Sequence, residues 1–379
     1  MDLSLQKTLV FLVFIGIGLL LKYKIRKKEE ISGIKKIILN LALPATIFIA
    51  LMGIQIKAEL FLLPFLALLL NFLLFFIFPL LLPFCGIAKS TSEFRTATLL
   101  LPSLAPGLSS FPFILEYLGE SYLAKAAMAD LGNKVFVLVF LYLFAMRCFY
   151  RRNLIESDQN DKKSLEFFKA LISEPVNILI VIALILLGLG INMDNLPVVI
   201  SESLKKLSVL MTPLVLLFIG LAVSIKKGQF QKIFSILVLR AGIVLGICSI
   251  FMLCFGITAA ANRLLLLAFS LSACSFWPFA HLSAVNIKEK GKTDKTFNNT
   301  MAINILALSF PFSILLILAM FTVGEKIAEV PVLLSIAGVF IVLGILPHRI
   351  HQIRIAGRMN TEKEKKFCPE LKSVEADSF

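Results

Sequence analysis

The sequence predicts an all-α polytopic membrane protein: a ten-helix core of two inverted five-helix repeats, followed by an eleventh helix. Three observations predict this fold. Hydrophobic residues make up 58% of the 379 residues and charged residues only 16%, which is too apolar for a soluble chain of this length. The apolar residues fall in runs near the 20 that a membrane-spanning helix needs. Two of these runs, 169 residues apart, also resemble each other.

Eleven runs are predicted to span the membrane. Backbone polar groups in hydrocarbon must be paired within their own segment, so each run is predicted to be a helix. Their approximate ranges are 5–21, 34–54, 60–84, 95–118, 122–146, 174–191, 203–224, 233–256, 263–286, 299–322 and 330–347. The predicted organisation is a first repeat over 1–146, a cytoplasmic loop over 147–173, a second repeat over 174–322, an extra helix over 323–347 and a basic, polar tail over 348–379.

The internal repeat relates the second run of each five. It pairs LALPATIFIALMGIQIKAELF (41–61) with LMTPLVLLFIGLAVSIKKGQF (210–230). The matching positions are Pro44 with Pro213, Ile56-Lys57 with Ile225-Lys226, and Phe61 with Phe230. A repeat with an odd number of spans is inverted across the membrane, which is typical of secondary transporters.

Basic residues predict the orientation. Alternate connections hold 29 of the 38 lysines and arginines, whereas the N-terminus and the opposite connections hold 7. Cytoplasmic connections carry the excess of basic residues, so the N-terminus is expected outside and the C-terminus in the cytoplasm. The expected location is the plasma (cell inner) membrane. The net charge of +14 therefore indicates membrane topology and contact with lipid, and no nucleic-acid partner is expected.

Two of the spans contain residues that interrupt helices. Span four reads LPSLAPGLSSFPF over 101–113, and span nine reads SLSACSFWPF over 270–279. Proline lacks the amide donor that a helix needs, and interrupted helices at corresponding positions of two repeats indicate a substrate site. A simple kink is the alternative for any single proline. The predicted substrate-binding residues are Pro106, Gly107, Ser109, Ser110, Pro112, Asn133, Ser275 and Pro278.

An anionic substrate is expected at these interruptions, because the N-terminus of a half-helix carries partial positive charge. Charged residues inside the membrane usually face a cavity or a partner. Asp130 and Lys134 lie one helical turn apart, so they either pair with each other or take part in coupling. His281 is either hydrogen-bonded structurally or a proton carrier. The coupling candidates are Asp130, Lys134, His281 and Asn304.

Two further polar residues lie within apolar runs. Arg240 is followed by 16 apolar residues, and it is predicted to extend its side chain to the inner interface rather than to bind an anion. Asn71 is predicted to hydrogen-bond between helices. Motifs for nucleotide binding, nucleophilic catalysis or metal ligation do not occur in the sequence. The prediction is therefore a protein that is not an enzyme and that uses no cofactor or metal.

Three short segments carry a family resemblance. NLALPATIFIALMGI (40–54), TPLVLLFIGLAVS (212–224) and ADLGNKVFVLVF (129–140) resemble segments of the auxin efflux carrier family, the PIN-like membrane transport proteins. The resemblance implies that helices four and nine cross at Pro112 and Pro278, with Asn133 beside them. It also implies organic-anion transport and a homodimer. Family members often carry asparagine where this chain has Ala105.

The predicted function is secondary transport of a small organic anion, a carboxylate, by alternating access. Sodium, protons or the membrane potential alone are the alternatives for the driving force. Two other functions stay open at this point. One is a membrane sensor or assembly protein that has the same fold without transport, and the other is a carrier of the bile acid/sodium symporter type.

Overall fold

The computed structural model of the chain describes residues 3–25, 27–53, 58–153, 175–222, 230–292 and 294–348. All regular structure in these ranges is helical. The helices are α1 (Leu3–Leu21), α2 (Glu29–Met52), α3 (Leu60–Cys85), α4a (Ser92–Leu100), α4b (Phe111–Leu118), α5 (Glu120–Arg152), α6 (Pro175–Gly188), α7 (Val198–Ala222), α8 (Phe230–Cys254), α9a (Ala260–Ser270), α9b (Trp277–Lys288), α10 (Asn299–Val323) and α11 (Val330–His348).

Seven of these helices are long and apolar enough to cross a membrane, namely α2, α3, α5, α7, α8, α10 and α11. Three shorter apolar helices, α1, α6 and α9a, and the divided α4 account for the other predicted spans. Large apolar side chains such as Phe65 and Leu80 stay more than 60% exposed on the outer faces. Lipid is the solvent for such surfaces, so the chain is a polytopic helical membrane protein.

The boundaries differ from the prediction in one informative place. The fifth helix continues to Arg152, whereas the sequence predicts a loop from residue 147. Its last turn carries Arg151 and Arg152, and basic side chains suit a helix C-terminus that emerges from the bilayer. Residues 154–174 and 349–379, with Ile56-Lys57 and Ile225-Lys226 of the repeat, lie outside the described residues.

Glycines bring several helix pairs into close contact. A Cβ atom added at Gly132 of α5 would overlap the backbone of Pro64 in α3, and one at Gly220 of α7 would overlap the backbone of α1. The extra helix α11 packs on α8 in the same way, with Gly344 against Leu239. Small residues allow helix backbones to approach closely in membranes, where packing rather than the hydrophobic effect drives association.

Helices four and nine are both interrupted. α4a ends at Leu100, a single turn covers Pro106–Ser109, and α4b begins at Phe111. α9a ends at Ser270 and α9b begins at Trp277. Pro112 and Pro278 each lie in the first turn of the second half-helix, where proline is favoured because that amide has no helical partner. The prolines therefore start new helices instead of kinking continuous ones.

Candidate functional site

The two interruptions, which we call break 4 (residues 101–110) and break 9 (residues 271–276), lie against each other. The backbone amide of Ala105 donates to the carbonyl of Ala273 at 2.8 Å. Ser109 Oγ accepts from the Ala273 amide at 3.0 Å, and Ser103 Oγ accepts from the Ser275 amide at 3.0 Å. Each break thus supplies partners for backbone groups that the other leaves outside a helix, as buried membrane backbone requires.

Arg240 of α8 binds both breaks from one side. Its guanidinium donates from Nε to the Leu101 carbonyl at 2.9 Å, and from Nη2 to the carbonyls of Ser272 at 2.9 Å and Ser103 at 3.3 Å. The side chain is only 3% exposed. The prediction that Arg240 extends to the interface is therefore wrong. The two breaks bring carbonyl acceptors next to Arg240 inside the protein. The apolar residues around Arg240 in the sequence do not indicate these acceptors.

Asn133 of α5 binds break 4 from another side. Its amide Nδ2 donates to the Leu104 carbonyl at 3.0 Å and to Asp130 Oδ1 at 2.8 Å. Its own oxygen accepts from Asn71 Nδ2 in α3 at 3.0 Å. The predicted interhelical hydrogen bond of Asn71 is thus confirmed, and Asn133 connects α3, α5 and break 4.

The predicted pairing of Asp130 with Lys134 is present. Lys134 Nζ lies 3.5 Å from Asp130 Oδ2 and also donates to Asn177 Oδ1 of α6 at 2.8 Å. Asn177 is 5% exposed, and it is not among the site residues predicted from the sequence. The signal was one polar side chain in an otherwise apolar helix, PVNILIVIALILLG. The ammonium of Lys134 is therefore held between two helices by a carboxylate and an amide oxygen.

A cavity of about 370 Å³ lies beside break 4, break 9 and the Asp130–Lys134 pair. We call it the break cavity. Its polar and break-derived lining comprises Lys35, Asn40, Leu104, Ala105, Pro106, Gly107, Leu108, Asp130, Asn133, Lys134, Ser275, Phe276 and Trp277. Two short π-helical turns contribute to the wall, Ile38–Ala42 in α2 and Phe136–Phe140 in α5. Such turns are frequent at functional sites because they disturb the regular helix ladder.

The cavity carries more positive than negative charge. Lys35 and Lys134 oppose the single carboxylate of Asp130 in the lining. The N-terminus of the twelve-residue α9b begins at Trp277 on the same wall and adds partial positive charge. The ammonium of Lys35 lies 5.0 Å from the ring centre of Phe276. In the sequence Lys35 contributes only to the predicted orientation, because its position beside break 9 depends on tertiary packing.

The predicted site residues divide into two groups. Pro106, Gly107, Asn133 and Ser275, with the coupling candidates Asp130 and Lys134, line the break cavity. Ser109, Ser110, Pro112, Pro278 and His281 are buried without lining it, and Asn304 is half-buried on α10.

His281 has a structural partner in this arrangement. Its Nε2 lies 2.8 Å from the carbonyl of Val137, inside the π-helical turn of α5. Of the two roles that the sequence allowed for His281, a structural hydrogen bond or proton transfer, this contact corresponds to the structural hydrogen bond.

A larger cavity, of about 680 Å³, lies between α3, α5, α8 and α9a. Its wall is mainly apolar, with Ser121, Lys125, Thr258 and Asn262 as polar members. Size alone favours this cavity, but binding sites are distinguished by a few convergent polar groups on an otherwise apolar wall. The break cavity has that convergence, together with buried charge and interrupted helices, so it is the candidate functional site.

Comparison with known proteins finds a relative that is named as a transporter. The chain is similar to an uncharacterized transporter of Methanocaldococcus jannaschii, with 26% identity over 240 residues, which cover 62% of this chain and 74% of the relative. The chain matches no protein-family model.

Proposed function

We propose that this chain is a secondary transporter that carries a small organic anion, a carboxylate, by alternating access through the break cavity. The observation that supports it most is the convergence of Lys35, Lys134 and the N-terminus of α9b on one cavity between two interrupted helices. Such a cavity favours a negative group. Secondary transporters place their sites at discontinuous helices of this kind.

The walls of the cavity suggest how it would open and close. α2 and α6 form one wall, through Lys35, Asn40 and Pro175, whereas the breaks and α5 form the other. We propose that α1, α2, α6 and α7 act as a scaffold and that the remaining repeat helices move against it. A substrate held at this boundary contacts both groups, so its binding would depend on their relative position.

From the basic connections we expect the starts of α2 and α6 in the cytoplasm. Lys35 and Pro175, which lie near those starts, would then put the cavity mouth on the cytoplasmic side. On the opposite side α1 contacts α4b and α10. Lys7 Nζ donates to the Glu116 carbonyl at 2.6 Å, and Thr8 Oγ1 lies 2.6 Å from Tyr117 Oη and 2.8 Å from Thr322 Oγ1. This arrangement supports an inward-facing state.

Lys134 is the residue that we expect to bind the substrate carboxylate. Its ammonium lines the break cavity, where Asp130 and Asn177 position it. Charge-assisted hydrogen bonds in a partly dehydrated cavity are among the strongest that proteins make. Asp130 would hold Lys134 in place and limit the net positive charge when no anion is bound.

The test is flux into proteoliposomes with labelled benzoate, lactate, malate and succinate. We expect saturable uptake of at least one anion, and Lys134→Met should reduce it severely because the variant removes the charge and keeps the length. Lys125→Met, which lies in the larger cavity, is the matched control and should transport normally. Folded protein without flux for any of these anions would contradict the proposal and favour a sensor with the same fold.

A further inference from the structure

Interrupted membrane helices release backbone carbonyls that need a positively charged or hydrogen-bonding partner. In many secondary transporters those carbonyls and the C-terminal ends of half-helices coordinate a sodium ion. In this chain the carbonyls of Leu101, Ser103 and Ser272 all accept from one guanidinium, that of Arg240. These carbonyls come from break 4 and break 9 alike, just beyond the ends of α4a and α9a.

We propose that Arg240 is a built-in cation that takes the place of a coupling sodium ion at these carbonyls and positions the two breaks relative to each other. The inference that transport is not coupled to a sodium ion at these carbonyls rests on the proposed transport function. The positioning role of Arg240 stands on the contacts themselves.

The surroundings of Arg240 fit a permanent cation. Its guanidinium carries five N–H donors and no acceptor, so it matches a cluster of carbonyl oxygens. Within the part of the chain that the structure describes, no carboxylate lies within ion-pair distance of it. The partial negative ends of α4a and α9a, each about half an elementary charge, offset the charge instead. A second cation at the same carbonyls would meet strong repulsion at low dielectric.

The residue 169 positions before Arg240 is Asn71, so the spacing of the internal repeat relates the two. Asn71 lies in α3 and supports Asn133, whose amide binds the Leu104 carbonyl of break 4. Corresponding positions of the two repeats thus support the breaks by different chemistry. In the first repeat the support comes from the neutral amides of Asn71 and Asn133, and in the second repeat it comes from the charged guanidinium of Arg240.

The first experiment measures thermal unfolding of the purified wild-type protein in sodium chloride and in N-methylglucamine chloride at equal ionic strength. A protein that binds sodium only when folded is stabilised increasingly as the sodium concentration rises. We expect equal Tm values in both salts, because Arg240 already occupies the carbonyls. A Tm that rises with sodium concentration would overturn the proposal. No substrate is involved, so the result is independent of the flux test.

The second experiment measures how well the breaks are held together. Ala105→Cys and Ala273→Cys, in a background without native cysteines, place two thiols on residues joined by a backbone hydrogen bond. Arg240→Gln should slow oxidative cross-linking about tenfold, since it removes charge-assisted hydrogen bonds to carbonyls of both breaks. Arg240→Lys should recover part of the rate, because it restores the charge.

The matched control is Arg263→Gln, because Arg263 also binds a backbone carbonyl, that of Ile257, but lies away from the breaks. It should leave cross-linking unchanged. Cross-linking that is equally fast in wild type and Arg240→Gln would overturn the positioning role. If Arg240→Gln does not fold, Arg240→Lys and the wild-type sodium measurement still decide the question.

Discussion

Lys134 of α5 and Asn177 of α6 are joined by a 2.8 Å hydrogen bond between the ammonium and the amide oxygen. This bond connects the two halves of the chain at the wall of the break cavity, and it predicts a specific loss. Asn177→Leu should weaken anion binding about tenfold, since Lys134 would lose one of its positioning acceptors. The measurement is the KM of flux for whichever anion is transported.

The control for this prediction is Ile178→Leu, at the neighbouring position, which is 43% exposed on the lipid side. It should leave KM unchanged. A KM that is the same in Asn177→Leu and in wild type would show that Asn177 does not position Lys134.

The contact between Lys7 and Glu116 predicts a charge-exchange effect. Their side chains lie 3.7 Å apart at the end of α4b, beside a cavity lined by Thr212 of α7. Lys7→Glu alone or Glu116→Lys alone should raise thiol labelling of Thr212→Cys about two- to fivefold, because partly exposed ion pairs contribute ~0.2–1 kcal/mol. The double exchange should restore slow labelling. Equal labelling in the double exchange and the single variants would contradict this role.

Gly132 predicts a packing defect. A Cβ atom at this position would overlap the backbone of Pro64, and backbone cannot move aside as a flexible side chain does. Gly132→Ala should therefore lower the free energy of unfolding by roughly 1–3 kcal/mol. Gly246→Ala is the matched control, since Gly246 is also helical and has no atom within 4 Å of the added carbon. Thermal unfolding of both variants checks the difference, and equal Tm values would contradict close packing at Gly132.

The ion pair of Asp294, in the connection between α9b and α10, is expected to make the stability of the protein depend on pH. Its carboxylate forms an ion pair with Arg152, and this contact lowers the pKa of Asp294 below the ordinary value of 3.8. A lowered carboxyl pKa stabilises the folded state above the unfolded pKa, and that contribution is lost as pH falls through the folded value. The Tm difference between wild type and Asp294→Asn should therefore be constant from pH 8 to 5 and should shrink towards pH 3. A difference that grows on acidification would contradict the pairing.

Local sequence patterns predicted part of the site. Prolines in two spans predicted the breaks, because proline removes the same amide donor in any context. The four-residue spacing of Asp130 and Lys134 predicted their pairing, since such residues share a helix face. A lone asparagine in an apolar helix, Asn71, predicted a hydrogen bond to another helix.

Other parts of the site depended on distant segments. Lys35 and Asn177 belong to α2 and α6, and only the packing of those helices brings them beside the breaks. Arg240 was assigned to the interface because the sequence shows the apolar residues that follow it and not the carbonyls that it binds. These three residues were misplaced or missed for one reason: their partners are more than 30 positions away along the chain.

By itself the sequence determined that this is a polytopic helical membrane protein with two interrupted helices. Apolar run length, proline position and the placement of basic residues act within single segments, where bilayer thickness and backbone hydrogen bonding decide the outcome. Only the tertiary structure decided which polar groups meet. Freed carbonyls accept whichever donor the packing of the helices brings within about 3 Å, so Arg240 at the breaks and Lys134 beside Asn177 follow from helix packing and not from neighbouring residues.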